Sequence, residues 1–186
     1  SAGALQVHMN VPQELFMPGG DTRFRGVLER VAEVVREAGV PVVAKEVGFG
    51  VAAEEAERLA AAGVAGIDVG GRGGTNFIAV EALRGGREAP ADLLGWGIPT
   101  AATLAEVVHA VGDRMLVFAT GGIRSGMDAA RALAMGAHAV GVAGPLVKAL
   151  AAGEEDAPRR LLEEIVWGLK AAMLMCGART LDELRR

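Results

Sequence analysis

The chain has no tyrosine, a single cysteine and few other aromatics, 4% of its 186 residues in all. That scarcity favours small side chains and tightly packed helices on a sheet over an aromatic-rich binding surface. Cys176 alone excludes an intrachain disulfide and a cysteine metal cluster, and fits a reducing compartment. Positive charge is not in excess: the formal net charge of −4 argues against a general nucleic-acid binder, which needs a basic face. No apolar run reaches the roughly 18 residues of a membrane span. Ser1–Asn10 has neither a basic n-region nor a cleavage pattern. A cytoplasmic protein with no membrane or nucleic-acid partner is expected.

What is present is apolar material and glycine: 51% of residues are hydrophobic and 27 are glycine. That is ample for a core, and residues 1–186 read as a single domain. The glycines cluster after short apolar runs. Leu116-Val117-Phe118-Ala119 leads into Thr120–Gly126, TGGIRSG, and Ala139-Val140-Gly141-Val142 leads into Ala143-Gly144-Pro145. Each is a strand, a glycine turn and a helix start. Such turns let backbone approach a ligand, and the helix start adds free N–H groups and a positive dipole end. Two of them in consecutive βα units form a phosphate cup, which in a (β/α)₈ barrel lies after the last two strands. The N–H groups around Gly122 and Ile123, those of Ala143 and Gly144, and the Arg124 guanidinium are the expected phosphate ligands. The alternative is two ordinary tight turns.

Leu5–Asn10 alternates, with Leu5, Val7 and Met9 on one side and Gln6, His8 and Asn10 on the other. This predicts a strand whose polar side faces a barrel interior or mouth. Residues 10–16 read as a βα loop and Pro18–Asp21 as a turn. Arg23–Glu37, Ala52–Ala62, Thr100–Val111, Gly126–Met135, Pro145–Ala152 and Pro158–Met175 read as helices. Pro41–Val47, Gly66–Val69, Met115–Ala119 and Ala139–Val142 read as further strands, and Gly70–Asn76 as a long glycine loop. Phe77–Leu83 is a helical turn, Arg84–Leu94 a polar excursion, and Thr180–Arg185 a terminal turn.

Alternating strands and helices joined by short glycine loops predict parallel strands and an α/β fold. Five strands are fewer than the eight of a closed barrel. An open doubly wound sheet is the alternative, but no Gly-x-Gly-x-x-Gly follows the first strand. The expected fold is a TIM (β/α)₈ barrel of which this chain supplies about the last five βα units, the other strands coming from residues not present here.

Six motifs then occur in one order: His8–Glu14 (HMNVPQE), Lys45–Gly50 (KEVGFG), Asp68–Asn76 (DVGGRGGTN), Trp96–Thr100 (WGIPT), TGGIR and VAGP. In this set the chain resembles the type 2, FMN-dependent isopentenyl-diphosphate delta-isomerases, over nearly its full length. The family's first three barrel strands have no counterpart here. The resemblance implies an isomerase of isoprene biosynthesis that interconverts isopentenyl and dimethylallyl diphosphate, with reduced FMN as acid and base. It further implies Mg²⁺ on the diphosphate, NADPH as reductant of the flavin, and a homo-oligomer, tetramer or octamer.

The resemblance also distributes roles. Arg124, Gly122, Ile123, Ala143 and Gly144 would hold the FMN phosphate, and Thr75 the flavin tail, unless Thr75 instead caps the turn at Phe77. Lys45 ends an apolar strand, where an unpaired ammonium is costly, and the family places a flavin-binding lysine there. Pairing with Glu46 is disfavoured because adjacent strand residues face opposite ways. Glu14 by itself reads as a solvated loop acid; the resemblance assigns it to Mg²⁺. Gln13 is assigned to the substrate near the alkene as catalytic residue, and His8 and Asn10 to the diphosphate. His109, His138 and Cys176 read as structural, Cys176 as a small packing residue. Arg72 is left open between a phosphate and the surface.

Two flavin or nucleotide barrels compete. A 2-hydroxy-acid oxidase needs a histidine immediately before a Gly-Gly/Ala-Arg run, where this chain has Val69. A dehydrogenase acting on inosine monophosphate needs a nucleophilic cysteine in a βα loop. From another class, the chain reads as a non-catalytic phosphate-ligand-binding barrel fragment with open edge strands.

Overall fold

A computed structural model describes residues 2–153 and 155–185. Its strands are β1 (Leu5–His8), β2 (Val42–Lys45), β3 (Gly66–Asp68), β4 (Leu116–Ala119) and β5 (Ala139–Val140). They form one sheet in the order β1-β2-β3-β4-β5, every neighbouring pair parallel. Chain order and spatial order coincide without the reversal a doubly wound sheet requires. That is the wall of a barrel.

Between the strands run the helices that cover the sheet: α2 (Val27–Glu37), α3 (Ala53–Ala61), α6 (Thr100–Val111) and α7 (Gly126–Ala134). After β5 come α8 (Gly144–Ala151) and the long α9 (Ala157–Met175). Short helices α1 (Val11–Phe16), α4 (Phe77–Arg84) and α5 (Ala91–Leu94) follow the C-terminal ends of β1 and β3, and α10 (Leu181–Leu184) ends the chain. Helix α7 crosses α9 backbone to backbone: a Cβ on Gly126 would lie 2.3 Å from the Leu169 nitrogen.

The sheet has two unlike faces. Val42, Ala44, Ile67, Val69, Val117 and Ala119 point to the helices and form the core with Leu104, Val107, Leu59 and Val31. Burial of the valine, leucine and isoleucine side chains among them, about 1.5–3 kcal/mol each, is what drives the fold. The other face carries Lys45, Asp68 and Leu116, the last 47% exposed. Register puts His8 beside Lys45 and Lys45 beside Asp68, one row at the C-terminal ends of three strands.

Several local expectations are corrected. Residues 11–16 are a helix, not a loop: the Asn10 side chain caps it by accepting from Gln13 N at 2.9 Å, and Pro12 sits in its first turn. Both are ordinary helix-start signals. Helix α2 starts at Val27 instead of Arg23, because Gly26 stands at φ 85° and breaks the run. The polar excursion contains α5, and the terminal turn is a helical turn capped by Thr180. Cys176 is exposed at the end of α9 and packs no core.

Glu46 directly follows Lys45 and turns the other way, towards the helices, where it is 7% exposed. Burial pushes its carboxyl up to about 8, opposed by the N–H groups of Val47 and Phe49. The unfolded chain releases this proton near 4.5 and the folded one only near 8, so stability falls as pH rises through that interval and levels off above it. We expect urea midpoints of the wild-type chain to drop between pH 5 and pH 9, and Glu46→Gln to flatten that slope. An unchanged slope in the variant contradicts the assignment.

Candidate functional site

The site lies where the C-terminal strand ends meet the glycine loops. Lys45 Nζ donates to Asp68 Oδ2 at 2.7 Å across the β2–β3 register. The other oxygen, Oδ1, accepts from Thr120 Oγ1 at 2.7 Å and from Gly70 N at 3.3 Å. One buried carboxylate therefore ties the ends of three strands together and directs an ammonium that stays partly open to the inner face. Asp68 and Thr120 had not been singled out as partners of Lys45. The Asp68-Val69-Gly70 spacing carried the signal, but only register places that carboxylate beside Lys45.

The expected phosphate cup is a hollow built by interlocking loops. Gly71 N donates to the Thr120 carbonyl at 3.1 Å, and Thr100 Oγ1 to the Gly121 carbonyl at 2.6 Å. Arg72 N and Thr100 N exchange bonds with residues 98 and 72, joining the glycine loop to the WGIPT segment. The Arg72 side chain, open from sequence, donates to the Gly97 carbonyl at 3.0 Å. The result brings Gly73-Gly74-Thr75 against Gly121-Gly122 and within reach of Gly144. A Cβ on Gly74 would lie 2.9 Å from the Gly122 nitrogen, and one on Gly144 3.9 Å from Thr75 Oγ1.

Among the described residues no hydrogen bond uses the N–H of Gly122, Ile123, Ala143 or Gly144. Arg124 reaches over the cup to the Gly73 carbonyl, while its own N–H is taken by Asp128 at 3.1 Å. Thr75 is exposed, and the cap of α4 is Asn76, which accepts from Ala79 N at 3.2 Å. Free amides, an open hydroxyl and one guanidinium around a glycine-lined hollow fit a phosphate dianion.

On the β1 side, His8 is exposed on the inner row. Asn10 is buried, its Nδ2 donating to the Val47 carbonyl at 2.6 Å and its Oδ1 capping α1. Gln13 Nε2 donates to Glu81 Oε1 at 3.1 Å, and Gln13 Oε1 is buried without a partner. Glu81, 1% exposed, is held from the other side by Arg84 at 2.8 Å. Glu81 was missed, since nothing local in α4 marks one glutamate as buried. Glu14 Oε2 accepts from Asp21 N at 3.0 Å. Among the described residues no group of three or more His, Cys, Asp or Glu side chains could hold a metal. A single carboxylate suits Mg²⁺, which keeps its waters and takes phosphate oxygens. His138 Nδ1 accepts from Val117 N at 3.0 Å and His109 lies exposed on α6, both away from the site.

The profile of the FMN-dependent dehydrogenase family matches residues 20–186. The chain is 52% identical over 187 residues to an isopentenyl-diphosphate delta-isomerase of Moorella thermoacetica, covering 99% of this chain and 53% of that protein. It is 46% identical over 185 residues to the isomerase of Bacillus pumilus, covering 100% and 52%. The chain thus spans about half the length of the curated relatives it matches. Among solved structures, a mandelate oxidase with benzoyl-formic acid superposes with a TM-score of 0.67 at 33% identity, over 86% of this chain and 42% of that one. A lactate oxidase of Pediococcus acidilactici gives 0.66 at 25% identity, over 89% and 40%. The resemblance read from the six motifs and the partial-barrel fold are both borne out.

The interlock depends on Gly121, at φ 97°, where a Cβ would lie 2.1 Å from the Gly71 carbonyl oxygen and 2.9 Å from Thr100 Oγ1. We expect Gly121→Ala to lower unfolding free energy by about 2–4 kcal/mol in chemical denaturation. Gly86→Ala, at φ 64° in open space, should lose only about 1 kcal/mol. Equal losses would mean that the loop contact contributes nothing.

Proposed function

The chain belongs to the FMN-dependent dehydrogenase family, and from that premise we propose that it forms the phosphate-cup side of an isopentenyl-diphosphate delta-isomerase. The observation that carries this reading is the row His8–Lys45–Asp68 beside a phosphate-shaped cup, in a chain 52% identical to an isomerase. A 2-hydroxy-acid oxidase reading draws on the mandelate oxidase likeness. It fails on the site: Val69 occupies the position before Gly70-Gly71-Arg72 and is wholly buried towards the helices.

When bound, reduced FMN supplies the acid–base chemistry that shifts the double bond, and Mg²⁺ neutralises the diphosphate. The residues of this chain bind and orient. The amides of Gly122, Ile123, Ala143 and Gly144, the Thr75 hydroxyl and Arg124 take the flavin phosphate in a preformed cradle. Lys45, held by Asp68, offers a fixed cation to the flavin ring, where reduction adds negative charge. His8 faces the diphosphate and Glu14 adds one carboxylate to the Mg²⁺ shell, whereas Asn10, expected on the diphosphate, is buried and committed to the Val47 carbonyl and the α1 cap. Glu81 accepts from Gln13 Nε2, which fixes the amide and leaves the buried Oε1 as its one unpaired end. A buried acceptor without a partner is costly unless a ligand satisfies it. NADPH serves as reductant with no net redox change. A homo-oligomer, tetramer or octamer, is supported by the apolar side chains that α8 and α9 leave exposed, among them Trp167 at 70% and Leu174 at 81%.

The test is an anaerobic titration of the chain with FMN and dithionite, followed by isopentenyl diphosphate and Mg²⁺, watching for dimethylallyl diphosphate. Turnover that falls about 100-fold or more in Gln13→Ala, and is restored by excess Mg²⁺ in Glu14→Ala, supports the reading. No flavin binding sinks it. The Lys45–Asp68 pair gives a second readout. Lys45→Ala should lower the flavin midpoint potential, and Asp68→Asn should raise it by on the order of 30 mV, because removing the carboxylate leaves the ammonium uncompensated. A fall in both variants would mean that Asp68 only holds Lys45 in place.

A further inference from the structure

The helix-covered side of the sheet holds a buried ionisable group that the proposed chemistry does not use. Glu46 leaves β2 opposite to Lys45, is 7% exposed, and its Oε1 has no hydrogen-bond partner. Among the described residues it forms no ion pair, since the adjacent ammonium is committed to Asp68. The Val47 and Phe49 N–H groups offset only part of that burial, and the unpaired oxygen is a place for a ligand donor.

Glu46 opens into a cavity of about 760 Å³ between α2, α3 and the WGIPT segment. The volume is that of a small-molecule site. Its walls are mainly apolar, Leu28, Phe49, Trp96 and Ile98 among them, and Glu55 and Arg58 contribute the remaining charge. Glu55 is engaged, accepting from Ala52 N at 3.0 Å. The cavity is separate from the phosphate cup, because Lys45 and Glu46, consecutive in the chain, point to opposite faces of the sheet.

We propose that this cavity is a second small-molecule site, and that it takes an apolar amine whose ammonium pairs with Glu46 while its hydrocarbon body fills the space beneath Phe49 and Trp96. Three physical arguments select that class. A cation placed against a desolvated carboxyl forms an ion pair in a medium where Coulomb attraction is strong, offsetting the burial of both charges. Aromatic rings in the wall, Phe49 and Trp96, attract a positive group more than a neutral one. Above about pH 8, where Glu46 is ionised, it and Glu55 outnumber Arg58 in the wall and disfavour anions. An alcohol of equal length retains the hydrophobic contribution and one hydrogen bond, but not the charge.

Trp96 in the wall makes binding visible. The chain's other tryptophan, Trp167, lies exposed on α9, so a Trp167→Phe background isolates the signal. Octylamine, octanol and octanoate are titrated separately at pH 9, where Glu46 is ionised and the amine still cationic, while Trp96 emission is followed. We expect a saturable response to octylamine, at least 10-fold weaker in Glu46→Gln, with octanol weaker in the parent and unaffected by that change, and octanoate silent. Circular dichroism confirms that Glu46→Gln folds. The ratio of octylamine to octanol affinity in the parent needs no variant and decides the matter independently. A ratio near one, equal octylamine affinity in Glu46→Gln, or the absence of a saturable response each overturns the proposal.

Discussion

Asp68 accepts from Lys45 Nζ and Thr120 Oγ1, each at 2.7 Å, and the ligand-facing end of the sheet depends on that pair of bonds. Two hydrogen bonds to one desolvated carboxylate are stronger than neutral ones. Breaking a buried pair by removing one partner costs on the order of 3 kcal/mol. Lys45 gains a direction from it, and Thr120 is fixed at the entrance to the Gly121-Gly122 turn. The bond therefore positions a cation and shapes an anion cup together. Asp68 also accepts from Gly70 N, which draws the start of the glycine loop into the same network.

The glycines follow from this closeness. Where the Gly70–Thr75 loop crosses the Gly121–Gly122 turn, backbone meets backbone with no room for a side chain, and Thr100 bridges the two with a bond of 2.6 Å. Loops normally gain order from side-chain packing; here order comes from carbonyl and amide contacts, and the amides left over point into the cup. A cradle built this way is rigid before any ligand arrives, which lowers the entropic cost of binding.

Lys45 and Glu46 show how a strand divides chemistry between faces. The pleat sends one towards Asp68 and the open inner face, the other among the helices. The lysine finds a charged partner, whereas the glutamate has only the backbone N–H groups of Val47 and Phe49. The same alternation explains why Leu116 stands 47% exposed while Val117 is wholly buried: the helices cover one face of these five strands.

The order of most strands and helices, the parallel sheet, the glycine turns and the family resemblance were legible in the sequence, because apolar periodicity and strand–glycine–helix spacing are local properties. Helix α1 was legible too, in Asn10 and Pro12, though a loop reading hid it. What only the tertiary structure decided are contacts between residues far apart in the chain. Lys45 with Asp68, Gln13 with Glu81 and Thr100 with Gly121 are separated by 23, 68 and 21 positions, and register and helix packing bring them together. The burial of Glu46 belongs with these. The pleat assigns it a face, but whether that face offers a counter-ion depends on how α2, α3 and the WGIPT segment close over it.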